Sequence, residues 1–193
     1  VGALRWIALL AVPASLGLAL VAEPLVVTVF GEGWREAAPI LQALALYTGL
    51  RALGAHAGDV LKATGRPGLL AAIAVAKAVL LVPLLLAAAR SGPVAVALTM
   101  AGVTAVTLLF NLIAVCRLAR VRPGELLAAL RPSLLAGAGM AAAVLALPDP
   151  VRLAPAVAVG AAAYLLILWL MNPGLIGEAR RALGRQKVAE AHP

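Results

Sequence analysis

Residues 69–89 read LLAAIAVAKAVLLVPLLLAAA, an apolar run with a single charge, Lys77, near its middle. About twenty such residues in a helix cross the hydrocarbon core of a bilayer. Only helices and closed barrels satisfy every backbone polar group in lipid. Leu, Ala and Val follow one another here without the alternation of a barrel strand. The run therefore predicts a transmembrane helix.

Five further runs of this kind extend the prediction to the rest of the chain. Turn-forming residues separate them, for example residues 31–33, 65–68 and 91–93. Because the connections are short, neighbouring spans are expected to form three antiparallel hairpins. The fold class predicted is an all-α integral membrane protein with six transmembrane helices, of which the short fifth is expected to borrow residues near Pro132. The predicted spans are residues 6–30, 39–61, 69–89, 94–115, 134–147 and 155–171.

The composition excludes a soluble globular domain. Hydrophobic residues make up 64% of the 193 residues and charged residues only 12%, against about 25% charged residues in a soluble domain. The formal net charge of +8 accompanies no DNA- or RNA-reading motif, so no nucleic-acid partner is predicted. Cys116 is the one cysteine, which excludes an internal disulfide and a multi-cysteine metal site. No cofactor is predicted.

The basic residues lie on one alternating set of connections, which predicts the orientation. Eleven fall on one side of the spans and three on the other. Connections rich in Lys and Arg face the cytoplasm, so the first span is expected to run outward and the C-terminus to be cytoplasmic. The tail, residues 176–189, can form a basic amphipathic helix beside anionic lipid. The cytoplasmic set is Arg5, Lys62, Arg66, Arg117, Arg120, Arg122, Arg131, Arg180, Arg181, Arg185 and Lys187; the outer set is Arg35, Arg90 and Arg152.

Two cations fall near the middle of adjacent predicted spans. Arg51 lies in the second span and Lys77 in the third. A charge at the bilayer centre costs about 2.5–3.5 kcal/mol and faces a cavity or a partner. Arg offers phosphate a planar fork of donors and Lys a compact charge, so both are candidate substrate-binding residues of an anion cavity. The alternative is that each cation pairs with an acid on a neighbouring helix or on a helix that this chain does not contain.

Three other ionisable residues are candidates for a structural ion pair or for coupling to an ion. Glu23, followed by Pro24, lies in the outer part of the first span and is expected to pair with Arg51, take up a proton or meet water, while Pro24 is expected to bend the helix. Asp59 lies three residues before Lys62, a spacing that favours a salt bridge on one helix face. His56 either titrates near neutral pH or is hydrogen-bonded inside the protein.

Motifs for catalysis are not present in the sequence. His56 and His192 are the two histidines, and neither belongs to a histidine-rich metal cluster. No glycine-rich nucleotide loop and no pair of acids at a membrane face accompanies them. The chain is not expected to be an enzyme.

Three phrases in the first half of the chain are more specific. Residues 22–34 read AEPLVVTVFGEGW, residues 37–41 read AAPIL and residues 63–67 read ATGRP. In order and spacing they resemble the C-terminal part of the polysaccharide biosynthesis, or O-antigen flippase, family of the MATE and lipid II flippase superfamily. The resemblance covers about residues 1–90.

The resemblance implies twelve or fourteen helices in two lobes, of which this chain would hold the last six, with the N-terminal lobe of the same protein as its partner. Residues 1–120 would be the C-terminal half of the second lobe, 121–175 an additional helix pair and 176–193 a basic cytoplasmic tail. The implied function is to flip an undecaprenyl-pyrophosphate-linked oligosaccharide across the bacterial inner membrane by alternating access, with Arg51 and Lys77 in the cavity. The alternatives are a MATE-type small-solute or drug exporter, a non-transporting scaffold of a glycan-assembly complex, and a membrane-embedded glycan transferase or polymerase, which the short outer loops disfavour.

Overall fold

The computed structural model describes residues 2–63, 65, 67–118, 121–147 and 153–171. Helix is the only regular secondary structure in these ranges, which confirms the all-α prediction. The tail predicted at residues 176–189 lies outside the described residues. The helices are α1 (Gly2–Leu20), α2 (Ala22–Phe30), α3 (Ala38–Ala63), α4 (Pro67–Ala89), α5 (Pro93–Leu118), α6 (Pro123–Leu145) and α7 (Leu153–Met171), with a 3₁₀ helix, Glu32–Ala37, between α2 and α3.

Five of the described helices, α1 and α4 to α7, are long and apolar enough to cross a membrane. The sixth long helix, α3, has 26 residues and carries Arg51, Asp59 and Lys62 within its second half. It does not meet the same criterion of length and composition. The chain is thus an all-helical protein with several helices suited to a bilayer.

The first predicted span, residues 6–30, is two helices instead of one. The break lies at Val21, between α1 and α2. Hydrogen bonds continue across it from Val21 N–H to Gly17 O and from Leu25 N–H to Val21 O. Pro24 has no N–H to donate to the carbonyl four residues earlier, at Leu20, and its ring crowds that carbonyl. The helix break that was expected at Pro24 therefore lies at Val21, about one turn earlier.

The fifth predicted span, residues 134–147, begins too late. The helix includes Pro132, as the sequence predicted, and begins earlier still. Helix α6 begins at Pro123, where the fixed backbone angle of proline suits the first helical position. Arg122 precedes it in an extended conformation. Pro132 lies inside the helix and is buried. The charged residues before residue 134 therefore belong to the same helix as the apolar run.

Side-chain contacts give the directions of two adjoining helix pairs. Lys77 contacts Thr104, whereas Leu70, earlier in α4, packs on Val115, later in α5. This reversed order makes α4 and α5 antiparallel. By contrast Gly54 lies beside Leu108, so α3 and α5, which also meet at Val60 and Val115, run parallel.

Side-chain contacts also give the directions of α6 and α7, which pack on α1. Gly139 lies beside Ile167, while Gly160 lies beside Val144, so α6 and α7 are antiparallel. Gly137 faces Val12 and Leu16 of α1, and Met140 faces Gly17, so α1 and α6 are parallel. Consecutive helices therefore run in opposite directions within each of these two groups, α3 to α5 and α6 to α7.

A tyrosine of α7 supplies the hydrogen bond that a proline removes from α1. Pro13 cannot donate to the carbonyl of Leu9, four residues earlier. The Tyr164 hydroxyl of α7 donates to that carbonyl at 3.0 Å, and Tyr164 is 5% exposed. This contact joins the last described helix to the first one and satisfies a backbone group away from water.

Candidate functional site

Lys77 lies near the centre of α4 and reaches across to α5. Its Nζ donates a hydrogen bond to Thr104 Oγ1 over 3.2 Å. Thr104 is buried, with 5% of its surface exposed. The ammonium group thus has a neutral hydroxyl as its partner, and no carboxylate of the described residues pairs with it.

A cavity of about 300 Å³ opens beside Lys77, between α4 and α5. Thr107 adds one hydroxyl to its lining, although this hydroxyl donates to the Val103 carbonyl of its own helix. The remaining lining is apolar, so the ammonium group is the dominant polar feature of this cleft. The lining residues are Ala72, Ile73, Ala76, Lys77, Leu80, Val106, Thr107 and Phe110.

Arg51 lies at the same level as Lys77 but on α3. Gly54, one turn after Arg51, adjoins Leu108 of α5, and Leu108 is one turn after Thr104. Arg51 is exposed and does not line the cleft beside Lys77. The two cations therefore share a depth in the bundle, on two helices that both pack against α5.

Arg51 has no hydrogen-bond or ion-pair partner within the part of the chain that the structure describes. The pairing of Glu23 with Arg51, which the sequence left open, does not occur. Glu23 instead pairs with Arg35, twelve residues further on. The 3₁₀ turn brings Arg35 back toward the start of α2, where Glu23 lies.

Arg35 joins two carboxylates at the end of the bundle opposite Lys62. Besides Glu23, it binds Glu32, with Nε and Nη2 donating over 2.9 and 2.8 Å. Hydrogen bonding and attraction to Glu32, with a smaller contribution from Glu23, raise the pKa of Arg35 above its usual value. The cluster therefore places one guanidinium group between two carboxyl groups.

A cavity of about 510 Å³ adjoins this cluster, lined by Glu23, Glu32, Arg35 and Gln42 together with apolar residues of α6 and α7. The ring of Phe30, at the end of α2, and the ring of Trp34, in the 3₁₀ helix, lie with centroids 6.0 Å apart. Both are more than half exposed. An exposed tryptophan close to a helix end is typical of membrane interfaces.

The remaining predicted site residues lie near the other end of α3. Asp59 forms the ion pair that its spacing predicts, with its Oδ1 3.2 Å from Lys62 Nζ. Both side chains are more than 60% exposed, so this pair contributes about 0–1 kcal/mol. The side chain of His56 lies outside the described residues. In the described ranges, no three His, Cys, Asp or Glu side chains come together to hold a metal ion.

Two polar residues of the interior carried only a weak signal in the sequence. Thr104 lies seven residues before Asn111, which places both on one face of α5. Asn111 is 8% exposed, and its Oδ1 has no hydrogen-bond partner among the described residues. The seven-residue spacing thus places Asn111 on the face of α5 that carries Thr104.

Comparison with known proteins finds no matching family model, no similar curated protein and no similar solved structure.

Proposed function

We propose that this chain forms part of a transporter that flips an undecaprenyl-pyrophosphate-linked oligosaccharide across the bacterial inner membrane. The family resemblance of residues 22–67 suggests the substrate class. In this proposal all six long helices, α3 included, cross the membrane, and the basic helix ends and the C-terminus face the cytoplasm. The two lobes of the complete transporter rock around a cationic central cavity.

One observation carries the proposal: the two cations at mid-bundle are not neutralised by the acids of the described chain. Glu23 and Glu32 bind Arg35, and Asp59 binds Lys62. Lys77 has a hydroxyl for its partner. Two uncompensated cations at one depth favour an anionic ligand over a structural role, because an unpaired charge is costly there.

A pyrophosphate group matches this pair of cations chemically. The Arg51 fork binds two phosphate oxygens at once, while the Lys77 ammonium adds a compact charge. The same electrostatics disfavours a cationic drug as substrate. The apolar lining of the Lys77 cleft lowers the local dielectric constant, which strengthens the attraction.

The test uses a bacterial strain deleted for its own flippase and complemented with the full-length gene. Surface glycan is measured for wild type, Arg51→Ala, Lys77→Ala and Arg51→Lys at matched membrane levels. We expect rescue by wild type, about tenfold or greater loss for each alanine variant and partial rescue by Arg51→Lys, since a charged hydrogen bond contributes about 1.5–3 kcal/mol.

Arg90→Ala is the matched control, because it removes the same charge from the exposed turn between α4 and α5. It is expected to rescue fully. Full rescue by both alanine variants would refute the cationic cavity. Failure of the wild type with several glycan substrates would refute flipping and favour the exporter or the scaffold.

A further inference from the structure

The basic end of α6 contains a cavity that the transport proposal does not use. Arg131 lies eight residues into α6, directly before Pro132 and the apolar run of residues 134–147. Its side chain is exposed. Arg131 therefore marks the point where α6 passes from the charged helix end into its apolar part.

The cavity measures about 360 Å³ and has walls of two kinds. Arg131 supplies a positive charge. Leu127 and Met171 supply apolar walls, one from α6 and one from the end of α7. A site with a cation at one side and hydrocarbon at the other is suited to an amphiphile.

Neighbouring residues place this cavity at the level of lipid headgroups. Trp169 precedes Met171 by two residues and is 54% exposed, as expected for an aromatic residue at the membrane interface. Glu125, the acid of the first α6 turn, lies six residues before Arg131 and thus about 120° away around the helix. It does not line the cavity, so the charge there is positive.

We propose that this cavity binds the headgroup of an anionic phospholipid from the leaflet that surrounds the start of α6. The Arg131 guanidinium binds the phosphate, for which its planar donors are well matched. Leu127 and Met171 contact the first methylenes of the acyl chains. Basic pockets between membrane helices recognise anionic headgroups in this way, and the volume falls within the usual range for small-ligand sites, about 300–1,000 Å³.

Native mass spectrometry of the full chain, released from detergent, tests the site by titration with phosphatidylglycerol and with phosphatidylcholine. We expect a saturable phosphatidylglycerol adduct on the wild-type chain and about fivefold weaker binding for Arg131→Gln, the change that corresponds to one basic residue near an anionic surface. Arg131→Lys, which keeps the charge without the fork, is expected to fall between them.

Arg122→Gln is the matched control, because Arg122 lies at the same end of α6, is also exposed and does not line the cavity. Equal losses for Arg122→Gln and Arg131→Gln would overturn the site in favour of diffuse attraction. Unchanged binding by Arg131→Gln would overturn it as well.

Inorganic phosphate separates a lipid site from a site for free phosphate. If the acyl chains contribute, millimolar phosphate leaves the phosphatidylglycerol adduct in place. Displacement by millimolar phosphate would refute the phospholipid assignment. Because these readouts measure lipid retention and not glycan transport, failure of the transport proposal would leave them unchanged.

Discussion

Helices α4 and α6 have the same length, 23 residues, but opposite environments. Helix α4 is the most apolar of the five candidate spans, yet no described side chain in it is buried. Helix α6 is the least apolar of the five and has the largest buried share, 33%. A soluble protein would show the reverse, with its most apolar helix inside.

The most apolar helix is exposed and the least apolar helix is buried because these helices are suited to lipid and not to water. Lipid is as apolar as leucine, so hydrophobicity does not drive helices together in a bilayer. Close packing of small residues does, and α6 buries Ser133, Ala136 and Gly137 against its neighbours. Helix α4 exposes its leucines and valines instead.

The largest expected effect comes from enlarging the buried face of α6. A β-carbon at Gly137 would lie 2.9 Å from methyl groups of both Leu16 and Val12 of α1, so Gly137→Leu requires these side chains or the helices to move. We expect a loss of about 1–3 kcal/mol in the free energy of unfolding, measured by denaturation in mixed micelles. Gly102→Leu in α5 is the control, because nothing lies within 4 Å of its β-carbon position. Equal losses for both variants would contradict the packing of α6 on α1.

A smaller effect is expected where α7 meets α1. Tyr164→Phe removes the donor to the Leu9 carbonyl and should lower the free energy of unfolding by about 1 kcal/mol. Pro13→Ala restores an N–H for the same carbonyl. In that background Tyr164→Phe should therefore cost less, and the double-mutant cycle measures the difference. Additive costs would show that Tyr164 acts independently of Pro13.

The smallest effect is expected on α4. Leu86 is 68% exposed, whereas Leu126 of α6 is 7% exposed. Leu86→Ala should change the free energy of unfolding by less than about 0.5 kcal/mol, since exposed positions rarely matter more. Leu126→Ala, which leaves a cavity, should cost clearly more in the same denaturation experiment. A large cost for Leu86→Ala would mean that another protein surface covers α4.

Several predictions from the sequence depended only on residues close together in the chain. The α4 and α5 boundaries agree with the predicted spans to within three residues, because Gly92 and Pro93 end one helix and begin the next. Gly92 adopts a φ of 98°, which glycine tolerates without a steric penalty. The pairing of Asp59 with Lys62 is local in the same sense.

The partner of Glu23 was not predicted correctly from the sequence. Charge and depth made Arg51 a reasonable partner, but the 3₁₀ turn after Gly31 returns Arg35 to Glu23. The sequence predicted that α6 extends toward Pro132 but not that it begins at Pro123, because the charged residues before residue 134 concealed a helix that continues into the apolar run. Neither result could be predicted from hydropathy, because hydropathy does not report the path of the chain through a turn.

The sequence by itself determined that the chain is helical and apolar enough for a bilayer, because length and hydropathy act locally along each segment. Only the tertiary structure decided which helices face one another. The packing of α6 on α1 and the bond from Tyr164 to Leu9 depend on contacts between residues distant in the chain. In lipid these contacts are selected by shape and by single hydrogen bonds, and such features leave almost no trace in hydropathy.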